Sequence, residues 1–442
     1  MKNLLIVGIG GTGSKIIESV VHLAASGNAP DQIFPVVIDQ DEHNGNLNQC
    51  RKTVELYQQV YQNAHGINNQ KIFNSCIEKT VFLKPNESNI NFESAIEIHS
   101  MSSLEQQIIK ALYNDLQLCD VLKDGYKKRA YIGSILIKKM LTNADKDPTS
   151  ELNNLIDVCK NLYDLEVIVV GSIFGGTGAA GIVVTGQHLR EKLPHAKMSS
   201  IMMTPYFKIA NEYEKEDDQG IVTSDSDMNL VKIALEMNKA DIETAFDHVC
   251  IIGSELDYLQ SENATKKAYV GGEKQRNPAH VFELIAACFS KKEKKLSDST
   301  KYYSYGISSN DKKPKCSIRI TQLPKEIEMQ KVNKLLDFAS LIVKANNNPQ
   351  SWKIRQPWFP PENEFTVLFN WAERHLEWWN EMDKRGVNDH NWNMFNIDLE
   401  EQHIYKIGAQ ISMFIGKNYP KNAELVYDVI NSLNTLVVKE SK

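Results

Sequence analysis

Gly8-Ile-Gly-Gly-Thr-Gly-Ser14 and Gly171-Ser-Ile-Phe-Gly-Gly-Thr-Gly-Ala-Ala-Gly181 are two glycine-rich turns in one chain of 442 residues. Each follows an apolar run that reads as a buried parallel strand (3–7 and 165–170), and each opens a helical pattern (14–25 and 179–193). Glycine lets the backbone turn sharply and approach an oxyanion with no Cβ in the way, while the first amides of a helix present the positive end of its dipole. Two strand–turn–helix units of this kind can hold one polyphosphate from two sides. Taken singly, either turn is also explained by packing a helix tightly on a strand.

Outward from these turns, strand and helix patterns alternate through the first two-thirds of the chain, which predicts an α/β fold with a doubly wound, mostly parallel sheet. Residues 33–38 supply a second strand ending in Asp39-Gln-Asp41. Carboxylates at the carboxyl end of a strand in an open sheet are placed to meet a ligand, here a ribose or a metal reached through water; they equally suit capping of the next turn. Residues 103–118 read as a helix, and 125–133 as a loop bounded by Gly125 and Gly133. Further strands are expected at 199–203, before Thr204-Pro-Tyr-Phe207, and at 248–253, with a helix at 227–239 between them. Asn277-Pro278 predicts the start of an apolar helix to about Ser290, with Asn as its cap and Pro in the first turn.

Beyond residue 300 the chain changes character. All six tryptophans fall between Trp352 and Trp392, around the rigid break Pro357-Trp-Phe-Pro-Pro361. Trp371, His375, Trp378 and Met382 recur at helical spacing; a buried face closing a second domain is expected, with a protein-binding surface as the alternative. His375 reads as a hydrogen-bonded core residue. The expected division is a nucleotide-binding domain at 1–275, a central helix and connection at 276–299, and a smaller α+β C-terminal domain at 300–442.

With 42% hydrophobic and 24% charged residues, the composition is that of a globular protein. No apolar stretch approaches the roughly 20 residues needed to span a bilayer, and a cytoplasmic location is expected. Seven scattered cysteines, none in a Cys-x-x-Cys pair, predict free thiols. A net charge of −6 gives no reason to expect nucleic acid as the main partner; the Lys-rich run at 291–295 and the group Lys312, Lys313 and Lys315 are expected to be solvated surface.

The order of pieces from the strand at 167 through Gly175-Gly-Thr-Gly178 to Thr204-Pro-Tyr-Phe207 resembles the signature region of the tubulin/FtsZ superfamily. The opening turn at Gly8 to Ser14 and the acidic segment at Asp39 to Asp41 extend the resemblance over roughly residues 1–290. Gly271-Gly-Glu-Lys-Gln-Arg-Asn-Pro278 is similar to a stretch before the central helix in divergent bacterial tubulin-like proteins. The resemblance implies GTP/GDP as ligand, with Mg2+. Gly8, Gly10, Gly11, Thr12 and Gly13 then line the phosphates from one side and Gly175, Gly176, Thr177 and Gly178 from the other, and Asp39, Asp41, Gly133 and Asn277 complete the candidate site. It also implies head-to-tail self-association, with other proteins as possible partners of the Trp-rich region.

The acidic Asn-x-Asp-x-x-Asp/Glu loop on which hydrolysis depends in that family has no match after Ser290, so nucleotide binding is expected more firmly than GTPase activity. Glu42, Asp217, Asp218 and Glu283 are conceivable substitutes. A nucleotide-gated subunit that does not polymerise, working within a bacterial defence-type assembly, is one alternative. An adenylyltransferase resembling the ubiquitin-activating fold is another: its glycine turn and its acidic, Asn-rich segment are similar to Gly8 to Gly13 and to Asp39 to Arg51, but it offers no counterpart of the second glycine turn.

Overall fold

The computed structural model of the chain describes residues 2–64, 72–86, 90–122, 125–126, 129–206, 224–253, 275, 277–292, 294, 299–305, 327–347 and 362–383. In chain order the elements are β1 (Asn3–Ile9), α1 (Gly10–Ala25), β2 (Gln32–Ile38), α2 (Gly45–Ala64), β3 (Cys76–Ile77), β4 (Val81–Leu83), α3 (Phe92–Ala95), a 3-10 turn (Ile98–Ser100), α4 (Ser103–Leu112), α5 (Asp115–Leu118), α6 (Ala130–Lys146) and α7 (Glu151–Lys160). They continue with β5 (Leu165–Ser172), α8 (Gly176–Lys192), β6 (Lys197–Met203), α9 (Ser224–Met237), α10 (Lys239–Ala245), β7 (His248–Ile252), α11 (Val281–Phe289), β8 (Lys301–Tyr305), α12 (Met329–Asn347) and α13 (Glu362–Asp383).

The strands form one eight-stranded sheet in the order β3-β2-β1-β5-β6-β7-β8, with β4 also on β2, and every ladder is parallel. Successive residues of a strand point to opposite faces. Leu4 and Ile6 of β1 join a core beneath α1, α2, α11, α12 and α13, whereas Leu5, Val7 and Ile9 join one beneath α6, α7, α8 and α10. Because both faces are covered, the strands read as continuous apolar runs rather than alternating ones. From β1 the chain winds through α1 to β2 in one direction, and from β5 through α8 to β6 in the other. The gap between β1 and β5 is therefore the switch point of the sheet, and both glycine turns lie at its carboxyl edge.

Several expectations need correction. The helix expected at 103–118 is two helices, α4 and α5, broken where Asn114 caps α5. Gly133 lies inside α6, not in a loop; a Cβ there would sit 2.5 Å from Tyr126 and 2.7 Å from Ala180, so this glycine lets α6 pack closely on α8. Helix α11 starts at Val281 rather than at Pro278. Its cap is His280, whose Nδ1 accepts from Phe282 N (3.2 Å) while Glu283 Oε2 accepts from His280 N (2.9 Å). The Lys-rich run is not all solvated: the Lys294 side chain is buried, pairs with Glu166 at 2.5 Å and donates to Phe289 O at 2.8 Å. Lys291 donates to Asn28 Oδ1 at 3.0 Å. Charge composition alone does not reveal a carboxylate waiting on β5.

The aromatic stripe of α13 is buried, as expected, with Trp371, Trp378, Trp379 and Met382 in the core. It packs on α12, α2 and α1 within the first core rather than in a second one: Phe73, in the segment before β3, meets Trp371 edge-on at 4.6 Å and His22 of α1 stacks on Trp378 at 4.4 Å. Most of the proposed C-terminal domain, including Lys312, Lys313, Lys315, Trp352, Trp358, the Pro357–Pro361 break and Trp392, lies outside the described residues. The six described cysteines are free, and no described helix is long and apolar enough to cross a membrane.

Candidate functional site

Strand pairing sets Ile9 of β1 beside Gly171 of β5, so the two strands end at the same edge of the sheet. Gly10 has φ +71°, the left-handed region that costs glycine little and other residues more. A Cβ added there would lie 3.2 Å from Thr177 Cβ and 3.6 Å from Gly178 N, which brings the two glycine turns face to face. Helices α1 and α8 both begin here, with N-caps Ile9 and Gly175. Neither has a side-chain cap or an acidic residue in its first turn. Helices α3, α4, α5, α7 and α11 are each closed by a capping side chain, whereas α6 and α10 are not. The first amides of a helix have no intrahelical partner, so two uncapped N-termini at one crevice form an anion-attracting pair.

The glycines divide by role. A Cβ at Gly13 would stand 2.5 Å from the Gly8 carbonyl carbon and 2.9 Å from Val170 O, and one at Gly8 would stand 2.8 Å from Gly13, so this pair packs α1 onto β1 and β5. Gly178 plays the same part for α8 against Ser172. Gly10, Gly11 and Thr177 border the crevice instead, with Gly125, whose added Cβ would face Thr177 Oγ1 at 3.8 Å. Gly125 was legible only as a loop boundary.

Asp39, Asp41, Asn44 and Asn46, all buried, form the next wall. Space beside Gly11 ends at Asn44 Nδ2 (3.0 Å) and Asn46 Nδ2 (3.1 Å). Asn44 Nδ2 donates to Asp39 Oδ2 (3.3 Å) and to Gln275 Oε1 (3.0 Å), and Asn46 Oδ1 accepts from Asn277 N (2.8 Å). Asn277 thus borders this wall although it does not cap α11, and its buried Oδ1 has no hydrogen bond to the described residues. The Asn44 and Asn46 contributions were missed in the sequence; the Asn-rich run after Asp41 was their signal.

Asp39 accepts from Asp41 N at 3.2 Å, and Asp41 Oδ1 accepts from His43 N at 3.1 Å, so both carboxylates do order the turn. Burial, helped by the Asp41 charge, pushes the Asp39 carboxyl up to about 7. A carboxyl raised in the folded state opposes folding once ionised: the cost begins above the unfolded value near 4 and is complete above about 7. Asp39→Asn is accordingly expected to stabilise the ligand-free protein by roughly 1 kcal/mol or more at pH 8, with the gain fading toward pH 4. Urea unfolding midpoints at the two pH values check this.

Of the acidic substitutes considered for hydrolysis, Glu283 is buried and engaged: it pairs with Lys15 and accepts from Tyr206 Oη at 2.6 Å. Lys15 also donates to Pro278 O at 2.9 Å. Lys15 therefore ties α1 to the 278–283 segment rather than facing the crevice. Glu42 pairs with Lys84 at 3.0 Å on the surface, and Asp217 and Asp218 lie outside the described residues.

No known family model matches the chain, and no curated protein matches it in sequence. Among solved structures it is similar to CetZ from Methanosaeta thermophila strain DSM 6194, with 11% identity and a TM-score of 0.27 over 60% of this chain. The match spans about half of that protein (49%).

Proposed function

We propose that the chain binds a guanosine di- or triphosphate in the crevice between β1 and β5, and self-associates in a nucleotide-dependent way in the manner of the tubulin/FtsZ proteins whose glycine turns it resembles. One observation carries the binding: two uncapped helix N-termini meet at the switch point, with Gly10 and Thr177 separated by no more than a methyl group's reach. Side chains at these positions would screen the first amides of both helices, which a phosphate bridging the mouth of the two turns must reach. Gly10 to Thr12 and Gly176 to Thr177 are the backbone and hydroxyl donors available from the two sides. The choice of guanosine rests on the sequence resemblance.

Asp39 and Asp41 are the carboxylates at this edge. Among the described residues no group of three His, Cys, Asp or Glu could hold a metal by itself. Magnesium shared with phosphate oxygens needs only one or two protein carboxylates, which fits this pair. With Glu283 engaged in the core, hydrolysis is expected to be slow or atypical.

Calorimetric titration with GTP, GDP, ATP and ADP, each with and without magnesium, tests the proposal. Magnesium-dependent binding of a guanosine phosphate at least tenfold tighter than its adenosine counterpart is the expected outcome, and absence of binding to all four removes the reading. Sedimentation with GTP, GDP and a slowly hydrolysed analogue checks assembly: pelleting that follows the nucleotide supports filaments, whereas an unchanging monomer rejects self-association.

A further inference from the structure

Two histidines stand where α13 lies on α1. His22 and His375 are each 1% exposed, and their Nδ1 atoms are 2.9 Å apart. Trp371 and Trp378 stack on the pair, with centroids 4.8 Å from His375 and 4.4 Å from His22 respectively. The proton positions follow from the donor inventory. Trp379 Nε1 can only donate, and it lies 3.2 Å from His375 Nε2, so that nitrogen accepts. A neutral His375 then carries its hydrogen on Nδ1 and donates it to His22 Nδ1. His22 in turn carries its hydrogen on Nε2, which points toward Glu18 Oε1 at 3.9 Å.

We propose that the His22–His375 pair is an acid-sensitive latch that holds α13 on α1 only while both rings are neutral. A proton added to either ring breaks one of the two bonds. On His375 it must go to Nε2, opposite the indole N–H. On His22 it must go to Nδ1, opposite an N–H, unless His375 changes tautomer and loses the indole.

The charged groups facing the pair are Glu18 on α1 and Arg374 on α13, with Cys50 of α2 behind Glu18 and Glu377 and Glu381 of α13 behind Arg374. Burial lowers the proton affinity of both rings; Glu18 partly opposes this at His22, while Arg374 adds to it at both. The sign follows: docked α13 keeps two neutral histidines that free helix would protonate, so docking is fully stable above about pH 6.5 and weakens as pH falls below it. The α13 residue Glu381 also accepts from Ala279 N at 2.8 Å. Opening the latch therefore loosens the segment that carries Asn277, and this holds whatever the crevice binds.

The test is amide hydrogen exchange of the full chain, resolved by peptide and corrected for intrinsic rates, from pH 7.5 to 5.0. Two extra protons per opening raise the opening constant of peptides within 366–383 by up to about 100-fold per pH unit below 6.5 in the wild type. His375→Gln keeps an acceptor for the indole and a donor for His22, and should cut the slope to about tenfold. The double variant H22N/H375Q should be nearly flat. A wild-type opening constant that rises less than tenfold per unit overturns the latch without recourse to any variant, as does an equal slope in the double variant.

Discussion

Gly10→Val is expected to weaken nucleoside triphosphate binding by more than 100-fold while the sheet remains folded. The residue has φ +71°, so a β-branched side chain pays strain on the order of 1–3 kcal/mol in the backbone alone. More important for function, the first added carbon already stands 3.2 Å from Thr177 Cβ, and the γ-methyl groups must enter the gap between the two turns. Displacing even two charge-assisted amide–phosphate bonds, at about 1.5–3 kcal/mol each, accounts for the loss. Gly13→Ala supplies the contrast. Its Cβ would strike the backbone of Gly8 and Val170 O, and nothing flexible is there to yield, so that variant should lose the fold itself. Titration of Gly10→Val with GTP and magnesium, alongside circular dichroism, decides the matter. Wild-type affinity in a folded Gly10→Val protein would show that the crevice is not where nucleotide binds.

That contrast also marks how far the sequence could be followed. The apolar runs at 3–7 and 165–170 predicted two strands that the structure extends to Ile9 and Ser172, because continuous burial on both faces leaves a local signature. Helix starts at 14 and 179 were placed too late: glycine disfavours helix, yet here Gly10 and Gly176 begin α1 and α8. Which glycines pack and which face a crevice was not legible, since Gly10 and Gly13 differ in backbone φ and in what the fold sets opposite them, neither of which a residue type reveals. Asn277 looked like a helix cap because Asn-Pro is a common opening; His280 and Glu283 form the cap instead, an arrangement invisible without the fold. Lys294 and His375 show the same limit from opposite sides. A charge run says nothing of the partner carboxylate, whereas a histidine amid tryptophans at helical spacing already implied burial.

Arg374→Met is expected to cost about 3–5 kcal/mol of stability near pH 7, because it leaves a carboxylate uncompensated in the core. Glu18 is 4% exposed and receives Arg374 Nη2 at 2.8 Å, Arg374 Nε at 3.1 Å and the Thr53 hydroxyl at 2.8 Å. Burial alone would raise the Glu18 carboxyl, but Arg374, with His22, holds it well below the usual carboxylate range. A depressed carboxyl stabilises the fold above its unfolded value near 4.5, and that contribution is lost as pH falls below it. Without Arg374 the largest opposition to desolvation is gone and the sign reverses: Glu18 then resists ionisation, so the variant should be worst at neutral and alkaline pH and should close part of its gap to the wild type by pH 5. The double variant E18Q/R374M removes both charges and should recover most of the loss, since an absent buried pair is tolerated far better than half of one. Urea unfolding of the three proteins at pH 7.5 and pH 5 measures all of this. A cost near that of an exposed pair, below about 1 kcal/mol, would mean that α13 does not rest on α1 in solution.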